Sequence, residues 1–130
     1  MIYLDSAAAV KLVHAEPESQ ALRDWLDERA DSPWTSSTLL EVETFRALAR
    51  HTPEAITRLH QLLDLIDLVE IGPAIRIRTQ TIRPATVRTL DAIHLATALH
   101  LHPAPTSFVT YDKRLAEAAN QAGLIVAMPM

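Results

Sequence analysis

The chain reads as an α/β protein: one doubly wound, mostly parallel β-sheet with helices on both faces. Two observations lead there. Short apolar runs alternate with amphipathic segments of helical period along the 130 residues, and strands separated by helices favour parallel pairing. No repeat, low-complexity tract or long linker interrupts that alternation. With 48% hydrophobic residues the chain is too apolar for disorder, and its length suits a single domain, 1–130, with a real core.

The elements follow in order. Residues 2–4 form a first strand, apolar on both faces. Residues 6–13, rich in Ala and Val, form a short helix. Pro17 starts a second helix, with Leu22, Trp25 and Leu26 at helical spacing. Residues 33–36 form a short strand. Thr38 and Glu41 match a capping box, and the helix they open runs to about Arg50. Thr52 and Pro53 open the next helix as cap and first residue; Ile56, Leu59, Leu62 and Leu63 give it an apolar face. Residues 66–71 form a strand stopped by Gly72-Pro73. Residues 74–82 are helical until Pro84 breaks the pattern. Asp91 opens a helix to about 101, with Ala92, Leu95, Ala96 and Leu99 on one face, ended by His102-Pro103. A strand at 106–110, a helix at 112–121 with Gly123 as its C-cap, and a strand at 124–127 complete the chain.

Composition excludes several functions. There is no cysteine, so disulfides, zinc–thiolate sites and thiol nucleophiles are absent. Only two glycines occur, which removes glycine-rich phosphate loops and the dinucleotide fingerprint. The net charge of −4 gives no global basic field, although a local basic strip remains possible. Arg76, Arg78, Arg83 and Arg88 supply one candidate, either a solvated face or a strip that holds a phosphate backbone. The nearest approach to a membrane span, residues 62–71, is interrupted by Asp64, Asp67 and Glu70. No secretory signal is recognised, and a cytoplasmic location is expected.

Four carboxylates stand in distinctive settings: Asp5, Glu43, Asp91 and Asp112. Asp5 and Asp112 each end a strand, and in open parallel sheets active sites lie at the carboxyl ends of strands. Capping is the plain alternative for Asp5, Asp91 and Asp112, since aspartate before a helix stabilises it by roughly 0.5–2 kcal/mol over alanine. Glu43 leans toward an apolar face between Leu39 and Ala47, whereas the capping box already accounts for Glu41. A cluster of carboxylates is unfavourable unless a cation neutralises it, which points to divalent-metal phosphodiester chemistry. His94, three residues after Asp91, is expected to be a packed or hydrogen-bonded helix residue rather than a ligand. Ser6 and Thr110 are expected to serve in capping and strand packing. His100 and His102, two apart, share no helical face and suggest no zinc site.

Together these contexts resemble the PIN-domain ribonucleases, in particular the VapC toxins of bacterial toxin–antitoxin pairs. Tyr3-Leu4-Asp5-Ser6-Ala7 with Val10-Lys11-Leu12 resembles the family's opening strand and turn. Glu43-Thr44-Phe45-Arg46-Ala47-Leu48 resembles its glutamate helix. Thr89 through Ala98, which includes Asp91 and His94, is the nearest local match, and Val109 through Leu115 with Ala118-Ala119 resembles the final acidic motif. The motifs fall in the family's order over nearly the whole chain; residues 70–88 match least.

The resemblance implies a single PIN-like domain in which Asp5, Glu43, Asp91 and Asp112 surround one cleft and form the catalytic, metal-binding site. Asp5 and Asp91 would be the most direct magnesium ligands, with Glu43 and Asp112 completing the shell. Magnesium suits oxygen ligands, and manganese is the alternative. The implied activity is metal-dependent hydrolysis of RNA by water, giving 5′-phosphate and 3′-hydroxyl ends. The implied partners are the RNA substrate, a cognate VapB-like antitoxin and a second copy of the chain in a homodimer, with no membrane. Two other readings compete. A haloacid-dehalogenase-type phosphatase wants a second aspartate where Ala7 stands, and a receiver domain wants a pair of acids where Asp5 stands alone. A catalytically silent PIN-like fold that only binds its partner is the third possibility.

Overall fold

The computed structural model describes residues 1–130. The first strand, β1 (Ile2–Leu4), leads into α1 (Ser6–Val13) and α2 (Ser19–Asp27). Then come β2 (Trp34–Ser37), α3 (Leu39–His51), a 3-10 turn (Pro53–Ala55), α4 (Ile56–Leu63) and β3 (Ile66–Val69). The remainder is α5 (Pro73–Gln80), α6 (Thr89–His100), β4 (Ser107–Val109), α7 (Lys113–Gln121) and β5 (Val126–Ala127). The five strands form one sheet in the order β3-β2-β1-β4-β5, and every pairing is parallel.

That order is the doubly wound arrangement. The chain leaves β1 toward β2 and β3 on one side, then returns to β4 and β5 on the other. The gap between the carboxyl ends of β1 and β4 is therefore the topological switch point, where such sheets bind ligands.

Alternation within β1 divides the core. Ile2 and Leu4 point to one face and join Ala8 and Ala9 of α1, Leu22 and Leu26 of α2, Leu40 and Leu48 of α3, and Leu59 of α4. Tyr3 points to the other face and joins Phe108, Leu95 and Ala98 of α6, and Leu115 and Ala118 of α7. The Tyr3 and Phe108 rings stack with centroids 5.1 Å apart. Both faces are thus covered, which is why β1 is apolar without a break and β4 carries the adjacent buried residues Phe108 and Val109. Burying each large aliphatic side chain contributes roughly 1.5–3 kcal/mol. β2 is an exception, since its buried side chains include Thr35 and Ser36. Thr35 donates to the Asp67 carbonyl at 2.9 Å and Ser36 to the Leu4 carbonyl at 2.6 Å, so neither hydroxyl is left unpaired.

Four local expectations need correction. Pro17 does not start α2; the helix begins at Ser19, after a turn in which the Ser19 hydroxyl accepts from the Glu16 amide. The Thr38–Glu41 capping box does not form: Thr38 is itself helical in backbone, and the Ser37 hydroxyl accepts from the Leu39 amide at 3.1 Å. Thr52 makes no side-chain cap; its hydroxyl lies 3.4 Å from His14 Nδ1. Asp91 does not open α6, which starts two residues earlier, so Asp91 lies within the first turn. Glycine ends α7 as expected, but one place further on: the C-cap is Ala122 and Gly123 follows it. Gly123 has φ 95°, and the Gly123 and Leu124 amides donate to the Asn120 and Ala119 carbonyls in a Schellman motif.

Candidate active site

Asp5 and Asp112 reach the switch point by the same local route. The Asp5 amide donates to the Val109 carbonyl at 3.1 Å, extending the β1–β4 ladder by one bond. The chain then turns into α1 with Asp5 as its N-cap, and Asp5 Oδ1 accepts from the Ala8 amide at 2.9 Å. Asp112 mirrors it after β4. It caps α7 through Oδ1, which accepts from the Leu115 amide at 3.0 Å, while its own amide donates to the Thr110 hydroxyl at 3.1 Å. Capping and site membership are therefore compatible in both residues, because a cap uses one carboxylate oxygen and leaves the other.

Glu43 comes from the middle of α3 and is half-buried, whereas Glu41 is exposed. Glu43 Oε1 accepts from the Ser6 hydroxyl at 2.5 Å and from His94 Nε2 at 2.8 Å. His94 is buried, and its Nδ1 lies 2.8 Å from the Tyr3 hydroxyl. The tautomer is assigned from these partners. A carboxylate only accepts, so Nε2 carries a proton, shared with Ser6 Oγ at 3.1 Å. Burial pushes the Tyr3 phenol well above its ordinary range, so it stays protonated and donates to Nδ1.

The charges identify Asp91 as the hub. Burial raises the Asp91 carboxyl, and the nearby Asp112 and Glu43 carboxylates raise it further, against His94 and Arg88, which lower it. Asp5 is also raised, first by burial and in part by Asp91, although the Thr110 hydroxyl and the Ala8 amide favour its charged form. Glu43 behaves oppositely. Burial pushes it up, but the bonds from His94 and Ser6 outweigh that and hold it below the usual range. All four acids thus lie within one electrostatic neighbourhood. They do not form a ready-made cage, since no group of three acidic or histidine side chains is positioned to hold a metal ion.

The donor set nevertheless fits a hard divalent cation. Every donor is a carboxylate oxygen, and the cap and hydrogen bonds leave Asp112 and Glu43 each a second oxygen for a ligand. Burial and mutual repulsion raise Asp5 and Asp91, and a cation would relieve both.

His94 meets its expectation as a buried, hydrogen-bonded helix residue. Ser6 does not: it bridges to Glu43 and His94 instead of serving only in the helix start. Tyr3 carried no functional expectation, because an apolar strand pattern conceals a hydroxyl. Its only signal is that it lies two residues before Asp5 in a strand that ends at the site.

A family model described as the PIN domain matches residues 2–121, and the chain belongs to that family. Ribonuclease VapC35 of Mycobacterium tuberculosis is 45% identical over 131 residues, covering 99% of this chain and 97% of that one. Ribonuclease VapC47 of the same organism is 40% identical over 132 residues, with the same coverage. The crystal structure of VapBC2 from Rickettsia felis bound to a DNA fragment from their promoter matches with a TM-score of 0.76, covering 98% of each chain at 15% identity. That last likeness bears on the fold alone.

Proposed function

We propose that this protein is a metal-dependent endoribonuclease, the toxin of a toxin–antitoxin pair, which hydrolyses RNA phosphodiester bonds at Asp5, Glu43, Asp91 and Asp112. The observation that supports the reading is that Asp5 and Asp112 follow β1 and β4 at the switch point, Asp91 shares a cavity with Asp112, and Glu43 is bonded to Ser6 beside Asp5. Relatives at 40–45% identity named as ribonucleases support it.

Asp5 and Asp91 would hold the ion most directly, magnesium or alternatively manganese, with Glu43 and Asp112 completing its surroundings. Once bound, the ion would polarise the scissile phosphate and make a water more acidic. The protein's own contribution is orientation. Helix caps fix Asp5 and Asp112. Ser6 and His94 pin one oxygen of Glu43, so the other is aimed to position the attacking water. Arg88 lines the same cavity as Asp91 and Asp112 and would meet a phosphate oxygen there. His94 is not a base for the RNA 2′-hydroxyl, because it is buried and both ring nitrogens are engaged. Water is therefore the nucleophile, and the products carry 5′-phosphate and 3′-hydroxyl ends.

The proposed partners are RNA, a VapB-like antitoxin and a second copy of the chain. An antitoxin that sets a basic tail against the acids would complement their charge. No helix is long and apolar enough to cross a membrane, and the proposed place of action is the cytoplasm.

The test is incubation of the antitoxin-free protein with total cellular RNA, with magnesium or with chelator, alongside Asp5→Asn, followed by sequencing of new ends. A discrete magnesium-dependent cut with 5′-phosphate ends, absent in the variant, is expected. A 2′,3′-cyclic phosphate would sink the mechanism, and no cut by folded protein would favour a silent partner-binding module.

A further inference from the structure

Three cavities meet along one side of the molecule. The first, about 320 Å³, opens at Asp91 and Asp112 and has Arg88, Lys113 and Arg114 in its walls. The second, about 250 Å³, shares Thr86, Val87 and Arg114 with the first. The third, about 880 Å³, shares Gln121 with the second and carries Arg78 and Arg83. The first two are continuous through those residues, and the third adjoins the second at Gln121, so together they line a path from the acids past residues 84–88 to α5.

The groove is basic in an acidic chain. It holds five of the twelve Lys and Arg residues, although the net charge is −4. All five are exposed, and none is among the residues that make an ion pair. Beyond Asp91 and Asp112, the groove has one acid, Glu117. Gathered cations repel one another unless a polyanion neutralises them. Arg78 is held in place by donating to the Leu99 carbonyl at 3.2 Å. Arg76 donates to the Ile71 carbonyl and lies outside the groove lining, so only part of the arginine-rich stretch takes part. The floor at the third cavity is aliphatic: Leu99 and Ile82 are half-buried, and Ile77 is exposed beside them.

We propose that this groove is the track that holds single-stranded RNA leading to or from the scissile phosphate, an inference that rests on the nuclease reading above. Cations along the rim take successive phosphates, and the aliphatic floor receives base faces. A duplex, whose bases face inward, has no use for that floor.

The test is fluorescence anisotropy of a short fluorescein-labelled oligouridylate, with EDTA to prevent cutting, across a potassium chloride series. Four proteins are compared: wild type, Arg83→Ala/Arg114→Ala, Arg83→Lys/Arg114→Lys, and Arg50→Ala on α3. Thermal melts establish that each is folded. The double alanine variant is expected to bind more weakly, with the slope of log affinity against log salt shallower by about 0.7 for each phosphate that is no longer neutralised. The lysine version restores the slope, and Arg50→Ala matches wild type. Equal affinity and slope in wild type and the double alanine variant overturn the track and leave the nuclease reading standing. No binding by wild type overturns the track and counts against the nuclease reading too. If the double alanine variant keeps RNA but loses an acidic peptide that wild type binds, the groove belongs to a protein partner and the track is overturned.

Discussion

The two sides of the acidic site are built differently. On the α3 side, Glu43 is held by Ser6 and His94, and His94 is held in turn by Tyr3 from the core. On the α7 side, Asp112 is exposed, its side chain tied by its helix cap alone, and lines a groove with unpaired cations. One wall is ordered before any ligand arrives; the other is open to whatever the groove delivers. The contrast teaches a division of labour. The dry wall sets geometry, and the wet mouth admits a charged chain without having to be rebuilt for it.

The largest expected effect comes from Asp5→Asn. Asparagine caps a helix about as well as aspartate, so α1 survives while the site loses a central charge. Cleavage of RNA should fall by about a hundred- to a thousand-fold, the scale for removing one preorganised group aimed at the reaction. Activity with an unchanged melting temperature is the readout, and near-normal cleavage would remove Asp5 from the site.

His94→Ala should break the ordered wall. It empties a buried position and strands the Tyr3 hydroxyl, costing about 2–4 kcal/mol in urea unfolding. A milder version is Ser6→Ala, which leaves the fold in place but frees Glu43. Manganese affinity by calorimetry should weaken about 10–100-fold, as when outer-shell partners of metal ligands are removed. Unchanged affinity would mean that Ser6 has no part in orienting Glu43.

The acids should also show opposite pH signs. Asp5 and Asp91 are raised in the folded state, so their contribution to stability is present below the ordinary aspartate range and is lost as pH rises through their raised values. Glu43 is lowered, so its contribution is present above the ordinary glutamate value and is lost as pH falls through its lowered value. In chelated buffer, Asp5→Asn should therefore gain stability over wild type between mildly acid and neutral pH. Parallel urea midpoints across that window would contradict the assignment. The smallest effect is Gly123→Ala, about 1–2 kcal/mol for placing a side chain at φ 95°, with cleavage unaffected because α7 is still capped at its other end.

Much of this was legible in the residues themselves. Strand–helix alternation has a strong period, and all five strands and the helices between them lie where it places them, with ends shifted by a few residues. Asp5 and Asp112 were readable as strand-ending acids, because parallel sheets place such positions along one edge. The misses share a cause. Capping is decided by backbone geometry that several neighbouring hydroxyls can satisfy, so Ser37 displaced Thr38. The Ser6–Glu43 and Tyr3–His94 hydrogen bonds join residues 37 and 91 positions apart, and no local pattern encodes such a meeting. The groove was half visible as an arginine-rich stretch, but only folding adds Lys113 and Arg114 to it.

The double duty proposed for Asp5 and Asp112, each starting a helix with one oxygen and serving the acidic site with the other, constrains how such a protein can fall silent. Loss of either residue to alanine removes charge and helix start together and burdens the fold. Loss to asparagine or serine keeps the helix start. Descendants that retain the shape and abandon the chemistry should therefore carry small polar residues at these two positions, leaving in a surviving fold the trace of a lost activity.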